Sequence, residues 1–338
     1  MNTAGKIAES AACVLMLSLT NACNLRCRHC YRADPKIFAQ ELAAAEIVRI
    51  LREFTDLVAE LGKTGVVVFS GGEPLLYEQL GLMARVARSL GLTVRVNTNA
   101  TLATPEVANA LNAWGVECAQ VSLDGANKAE HEAIRGRGSW EPTVRGVASL
   151  QAAGLAVVLK VTLIHDANDA DPGAFVRLAA SWGVLQVSFA RVLPIGTGAG
   201  FSGFGPGAYR QVLAAIARAR SATVRTEIRD ATFDQSFLGG MPYRYQSEEG
   251  RAILAIDADG AGYVSRRLPL LLGNIRESAL ADLWRHPTME LLRTGGLQGK
   301  CRSCALLTVC GGGSRAAAWA ASQQLLAPDP DCWVGAVA

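Results

Sequence analysis

Three cysteines near the start of the chain, Cys23, Cys27 and Cys30, are spaced C-x3-C-x2-C, so a single loop can present three thiolates to one metal centre. Three thiolates hold three irons of a [4Fe–4S] cube and leave the fourth iron without a protein ligand. Such an open position separates a catalytic metal site from a closed structural one. The same spacing also suits zinc held by three cysteines, with His29 as the fourth ligand. A second set, Cys301, Cys304, Cys310 and Cys332, reads C-x2-C-x5-C with a distant fourth member. Four thiolates close either a cube or a zinc tetrahedron, so ligand number alone does not choose between them. Seven of nine cysteines therefore fall into two metal-like sets, a pattern expected of a reducing, cytoplasmic setting rather than of a disulfide framework. The remaining two, Cys13 and Cys118, lie in or beside expected strands and read as small buried hydrophobes.

Such loops need a scaffold. From residue 14 to about 190, β-rich runs at 14–19, 66–70, 93–97, 119–123, 157–163 and 186–190 alternate with helical stretches near 41–61, 75–90, 105–114, 141–153 and 173–182. Gly62, Gly91, Gly115, Gly154 and Gly183 stand where a helix C-cap is expected. Repeated helix–Gly–strand units predict the α/β class with a parallel sheet. In such folds ligands sit at the C-terminal ends of the strands. The first cysteine set follows strand one, and Gly71-Gly72-Glu73-Pro74 follows strand two. Asn97-Thr98-Asn99 closes strand three, Asp124-Gly125 follows strand four, and Arg191 to Pro194 follows strand six.

Composition excludes other classes. Half the chain is hydrophobic and 19% is charged, which fits a packed globular protein. A net charge of +3, with the arginines scattered, gives no footprint for nucleic acid. The apolar run 11–19 is too short to span a bilayer and reads as a buried strand, so no membrane partner is expected. A Gly-rich loop at 195–207 ends the strand repeats, a polar stretch runs to about 250, and 252–256 with 262–265 predicts a hairpin before the cysteine-rich tail.

On the strand-end rim, Gly71 and Gly72 allow close backbone approach to a ligand, and Glu73 offers a carboxylate to an ammonium group. Asn97 and Asn99 either bond ribose hydroxyls or cap the strand. Cys23-x3-Cys27-x2-Cys30 followed by Tyr31, together with the GGEP run, resembles the signature of the radical S-adenosylmethionine (SAM) superfamily. That resemblance implies a [4Fe–4S] cluster whose open iron chelates SAM, cleaved by electron transfer to a 5′-deoxyadenosyl radical. It also implies a flavodoxin- or ferredoxin-type reductant as partner. The GGE motif would receive the SAM amino group. Ser122 and Arg135 resemble the pair that binds the SAM carboxylate, although Arg135 also reads as a surface residue on a polar loop. Leu193 lies in a segment resembling the loop that packs on adenine.

The tail, with Gly273-Asn274-Ile275, Leu283-Trp284, Cys310-Gly-Gly-Gly-Ser-Arg and Asp329-Pro-Asp-Cys332, resembles the SPASM/twitch extension of these enzymes. The expected architecture is a partial (β/α)6 barrel with a parallel sheet over residues 1–205, a bridging region over 206–250 and a small C-terminal cysteine-rich α+β domain over 251–338. Full SPASM domains hold two auxiliary clusters, whereas Ser247, Ser265 and Ser314 stand where further cysteines are expected. One auxiliary [4Fe–4S] cluster therefore remains, on Cys301, Cys304, Cys310 and Cys332.

A cluster with all four ligands from protein suits electron acceptance, hence oxidation. Dehydrogenation of an alcohol needs a base, and Arg225, Glu227, Arg229, Asp230, Asp234, Tyr243, Tyr245 and Glu248 are the candidates. Epimerisation ranks lower, because it needs a thiol donor and Cys13 and Cys118 belong to strands. Only a short segment precedes strand one, which favours a small-molecule substrate over a peptide. By resemblance the expected reaction is dehydrogenation of an aminocyclitol or aminoglycoside-type antibiotic intermediate. Alteration of tetrapyrrole side chains in haem pathways, or peptide maturation, is the alternative.

Overall fold

The first strand, β1 (Ala12–Thr20), alternates side chains between two faces, with Cys13, Leu15, Leu17 and Leu19 turned to the main core. This computed structural model describes residues 11–31, 40–230 and 247–335. Beside β1 in parallel register lie β2 (Thr64–Gly71), β3 (Thr93–Thr98), β4 (Val116–Ser122), β5 (Ala156–Leu163) and β6 (Gln186–Arg191). All six expected strands are thus present, each extended by a few residues at most.

Helices α1 (Ala44–Glu60), α2 (Leu80–Ser89), α3 (Pro105–Ala113), α5 (Trp140–Ala152) and α6 (Gly173–Ser181) cover one face of this sheet. Ile47, Ile50, Leu51 and Phe54 of α1 join Leu17, Phe69, Val96, Val121 and Leu159 in the core. The five glycines expected to end helices all take positive φ, between +63° and +82°. The stretch 75–90 begins as a separate 3-10 turn (Pro74–Leu76) before α2, because Pro74 starts a turn that Tyr77 ends in extended conformation. Helix α4 (Lys128–Arg135) was not anticipated, although Asn127 caps it by accepting from the Glu130 amide at 3.1 Å.

Two further features exceed the sequence reading. A seventh parallel strand, β7 (Arg225–Ile228), pairs with β6, where charged residues masked the alternation. After α7 (Gly205–Arg218), the expected hairpin forms from β8 (Ile253–Ile256) and β9 (Ala261–Tyr263), and β10 (Leu271–Asn274) extends it. Strand β8 also pairs in parallel with β1, from Val14 with Ile253 to Leu17 with Ile256. The result is one ten-stranded, mostly parallel sheet in the order β10-β9-β8-β1-β2-β3-β4-β5-β6-β7. Beyond it, α8 (Leu280–Trp284), α9 (Pro287–Thr294), α10 (Leu307–Cys310) and α11 (Arg315–Ser322) carry the cysteine-rich tail. No described helix is long and apolar enough to cross a membrane.

Candidate metal-cluster sites

The Cys23–Cys30 loop leaves the C-terminal end of β1, and backbone contacts hold it there. Thr20 Oγ1 and the Asn21 amide both donate to Glu41 Oε1, at 2.9 and 2.6 Å. The Gly72 and Glu73 amides donate to Thr20 O and Ala22 O, each at 2.8 Å. A Cβ on Gly71 would lie 2.4 Å from Thr20 O, and one on Gly72 2.1 Å from Ala22 O. The close approach expected of these glycines is therefore made to the cysteine loop itself. From the far side, the Thr197 amide donates to Cys30 O at 3.0 Å, and its hydroxyl reaches Cys27 O at 3.2 Å.

Asp124, at the end of β4, organises the next layer. It is fully buried and meets Arg135 Nε at 2.6 Å, His29 Nε2 at 3.0 Å and the Thr162 amide at 2.7 Å. Burial works against its charge, yet Arg135 and His29 hold the carboxyl well below the usual carboxylate range. His29 gives its Nε2 to Asp124, while its Nδ1 is buried with no hydrogen-bond partner among the described residues. Arg135 ends α4 with Nη1 3.9 Å from Cys27 Sγ, so it is a buried partner of the cysteine loop rather than a surface residue. Burial pushes the Cys27 thiol up to about 11, against the opposing pull of Arg135, so metal must displace that proton.

Glu73 is buried too, with its carboxylate turned toward β3. It accepts from Thr98 Oγ1 at 2.7 Å, the Asn99 amide at 2.8 Å and the Leu75 amide at 3.1 Å. Burial raises its pKa and these donors oppose the rise. The acid expected to meet an ammonium group therefore ties β2 to β3. Asn99 donates through Nδ2 to Asn24 Oδ1 at 2.9 Å and accepts from Thr101, which joins β3 to the cysteine loop. Asn97 and half-buried Ser122 lie on the sheet face away from the helices, and Asn97 Oδ1 is buried with no partner among the described residues. Leu193 follows β6 with its side chain in the core.

The second set is more enclosed. Cys301, Cys304, Cys310 and Cys332 line one cavity of about 270 Å³, together with Lys300 and Leu306. Burial pushes the Cys310 thiol up to about 11, while the Gly312 and Gly313 amides bond its sulfur and oppose that rise. Amide donors to sulfur are a recognised feature of iron–sulfur ligation. Asp329 accepts from the Ser314 amide at 2.8 Å, and Arg191 of β6 grips Asp329 at 2.8 Å and Asp331 at 2.5 Å beside Cys332. A single zinc ion with bonds of about 2.3 Å draws its sulfurs to within about 4 Å of each other. Among the described residues no three thiols lie within 4.8 Å of one another, so neither set is drawn together as closely as a zinc tetrahedron requires. Donor type at both sets, and the cavity at the second, fit iron–sulfur clusters.

The three serines part company. Ser247 and Ser265 are both buried and donate to the two oxygens of Glu249, Ser265 at 3.3 Å, while Ser314 accepts from the Ala317 amide to cap α11. Two of the positions where the resemblance expects cysteines are thus joined in a hydrogen-bonded Ser–Glu–Ser group.

The candidate bases fare unevenly. Asp230 is buried, accepts from the Arg191 amide at 2.7 Å and meets Arg267 at 2.9 Å. Burial raises its pKa, but Arg267 and Arg191 outweigh it and draw the value down to about 2, which corrects its reading as a base. Arg225 is exposed, and Arg229 pairs with Glu248 at 3.2 Å on the surface. Glu227 lies on β7, where Arg229 and Lys160 overcome burial and lower its pKa. Asp234, Tyr243 and Tyr245 lie outside the described residues. The sequence reading gave no role to Asp124, Lys160 or Thr197. Lys160 was detectable as a lone charge in the alternating run of β5, and Asp124 as an acid between apolar residues at a strand end.

Residues 17–179 match the model of the radical SAM superfamily. The chain is 30% identical to the AdoMet-dependent heme synthase of Methanosarcina barkeri, over 93% of this chain and 94% of that protein. It is 31% identical to the mycofactocin maturase MftC of Mycobacterium tuberculosis, over 95% of this chain and 83% of that one. Its fold is similar to native anSMEcpe with bound AdoMet, with a TM-score of 0.72 and 18% identity over 94% of each chain. Streptococcus suis SuiB bound to S-adenosylmethionine gives a TM-score of 0.73 at 16% identity, over 95% of this chain and 77% of that one.

Proposed function

The chain belongs to the radical SAM superfamily, with a [4Fe–4S] cluster and SAM as its cofactors, and from that premise we propose that it oxidises a carboxylate-bearing side chain of a tetrapyrrole-type substrate. When bound, the first cluster and SAM supply a 5′-deoxyadenosyl radical that takes a hydrogen atom, and the auxiliary cluster supplies a one-electron acceptor. Cys23, Cys27 and Cys30 would hold the first cluster and Cys301, Cys304, Cys310 and Cys332 the second. The observation that carries the reading is the cavity enclosed by four cysteines, a site with no ligand position left for substrate and therefore suited to electron acceptance.

The protein's part is positional. Asp124 fixes His29 and Arg135 against the first loop, and Thr197 clamps it from above. Arg191 fixes the second loop, and only five residues of chain separate Arg191 from Thr197, so both sites hang on one segment at most about 20 Å long. A propionate-type side chain that has lost a hydrogen atom β to its carboxylate completes the oxidation by breaking the carbon–carboxylate bond. One electron leaves, and the products are an alkene and CO2. This course asks for no general base, in keeping with Asp230 being locked between two arginines.

The relatives bear on substrate as well. Similarity to a heme synthase along nearly the whole chain favours a tetrapyrrole over the aminocyclitol expected from sequence. A second reading, peptide maturation, is favoured by the comparable identity to a mycofactocin maturase. Anaerobically reconstituted protein given SAM, a reductant and coproporphyrin III, a small peptide or an aminocyclitol distinguishes them. Porphyrin-dependent 5′-deoxyadenosine with release of CO2 is the expected result. Stimulation by the peptide or the aminocyclitol alone would overturn the tetrapyrrole reading.

A further inference from the structure

Arg315 stands at the first position of α11 and is only 3% exposed, in a place where the positive end of a helix dipole opposes a cation. Its guanidinium forms no ion pair among the described residues, and its hydrogen bonds go to backbone carbonyls. Nη1 donates to Leu325 O and Ala327 O, each at 2.8 Å, Nη2 donates to Gly312 O, and Nε reaches Gly313 O at 3.4 Å. The carboxylate of nearby Asp329 is taken by Arg191 and the Ser314 amide. A buried charge is costly unless an opposite charge answers it.

The second set of thiols lies across those carbonyls. Gly312 C=O and Gly313 N–H belong to one peptide group, so the guanidinium bonds the oxygen of a group whose N–H bonds Cys310 Sγ. Hydrogen bonds chained in this way polarise one another. Gly312 and Gly313 take φ of +89° and +81°, a conformation that glycine adopts without strain and that turns both amides onto the sulfur. Burial pushes the Cys301 thiol up, and Arg315 is the largest charge opposing that rise, ahead of Lys300. At the first set the comparable cation is answered within the chain, since Arg135 beside Cys27 pairs with Asp124 at 2.6 Å.

We infer that Arg315 is a positioning residue for the auxiliary cluster, and that its unanswered charge, passed through the Gly312–Gly313 peptide to Cys310, raises that cluster's potential so that it can accept an electron. Reduction adds one negative charge to the cluster, so a fixed buried cation favours the reduced form. Net charge and hydrogen bonds to sulfur are what tune such potentials. The inference rests on the second set holding an electron-accepting cluster, as proposed above, whatever the substrate. Lys300 supplies the contrast, because it donates to Cys332 O at 2.7 Å from an exposed position where water and salt screen its charge.

A redox titration followed by electron paramagnetic resonance tests this on the reconstituted protein, and on its Cys27→Ala variant, in which the auxiliary signal stands alone. Arg315→Met should make the auxiliary cluster about tenfold or more harder to reduce, a fall of about 59 mV for one electron. Arg315→Lys, which keeps the charge, and Lys300→Met, which removes an exposed one, should each lower it less. An unchanged potential in Arg315→Met, with auxiliary iron retained, would leave this arginine a merely structural role and overturn the inference while sparing the proposed function. If Arg315→Met holds no auxiliary iron, Arg315→Lys decides, since a full tenfold loss with the charge still present overturns the inference. In the wild-type protein the auxiliary cluster should be the easier of the two to reduce, and the reverse order overturns the inference whatever the variants do. Absence of iron from the second set would overturn both this inference and the electron acceptor of the proposed function.

Discussion

The two cysteine sites are built by opposite means. The first takes all its thiols from one loop and borrows the surroundings to hold that loop, through Glu41, Gly71–Gly72, Asp124 and Thr197. The second gathers its thiols from positions spread between Cys301 and Cys332 and encloses them in a cavity pinned by Arg191. An open loop of three thiols suits a group that must still bind something small, whereas a closed set of four suits one that exchanges only electrons. Under the proposed function, chemistry begins at the first site and is completed through the second.

Removing one ligand from the first site should have the largest effect. Cys27→Ala is expected to lose about four irons per chain, the content of one cube, and to reduce SAM cleavage to background while iron at the second site persists. Retained SAM cleavage would break the contrast. Next in size is Arg191→Met, which leaves Asp329 and Asp331 buried without their cation. The expected destabilisation is about 3–5 kcal/mol in urea unfolding, accompanied by faster iron loss from the second site than from the first. Equal loss from both would show that the pin serves the whole sheet.

Acid should weaken the same pin. Asp230 has a folded-state pKa of about 2, below the ordinary 3.8, so its contribution is present above about pH 4 and is lost as pH falls toward 2. Asp230→Asn should remove about 2 kcal/mol of stability at neutral pH together with that acid dependence. The smallest effect has the opposite sign. Lys160 is depressed below its ordinary 10.5, so its burial cost is full below pH 7 and fades as pH rises toward 10.5. Lys160→Met should therefore raise the thermal midpoint at pH 7 by about 2 °C or more, with less gain at pH 9.

Legibility in the sequence follows the same division. The first site was readable because its ligands are local and its strands alternate, so Cys23, Cys27 and Cys30 and the rim at Gly71 and Asp124 could be placed on strand ends. The second could be listed but not assembled, since Arg191 reaches its partners across 138 residues. Pairing of β8 with β1 was hidden for the same reason, and β7 because Arg225 and Glu227 hid its period. The sequence also did not show the contacts that Glu73 and Arg135 make within the chain, with Thr98 and Asn99 and with Asp124.

The most direct test is to quantify product and 5′-deoxyadenosine together in Cys304→Ala with substrate and SAM. The account predicts 5′-deoxyadenosine formation without product, because the hydrogen atom is removed but the remaining electron has no acceptor. Product formed at the wild-type rate would contradict it.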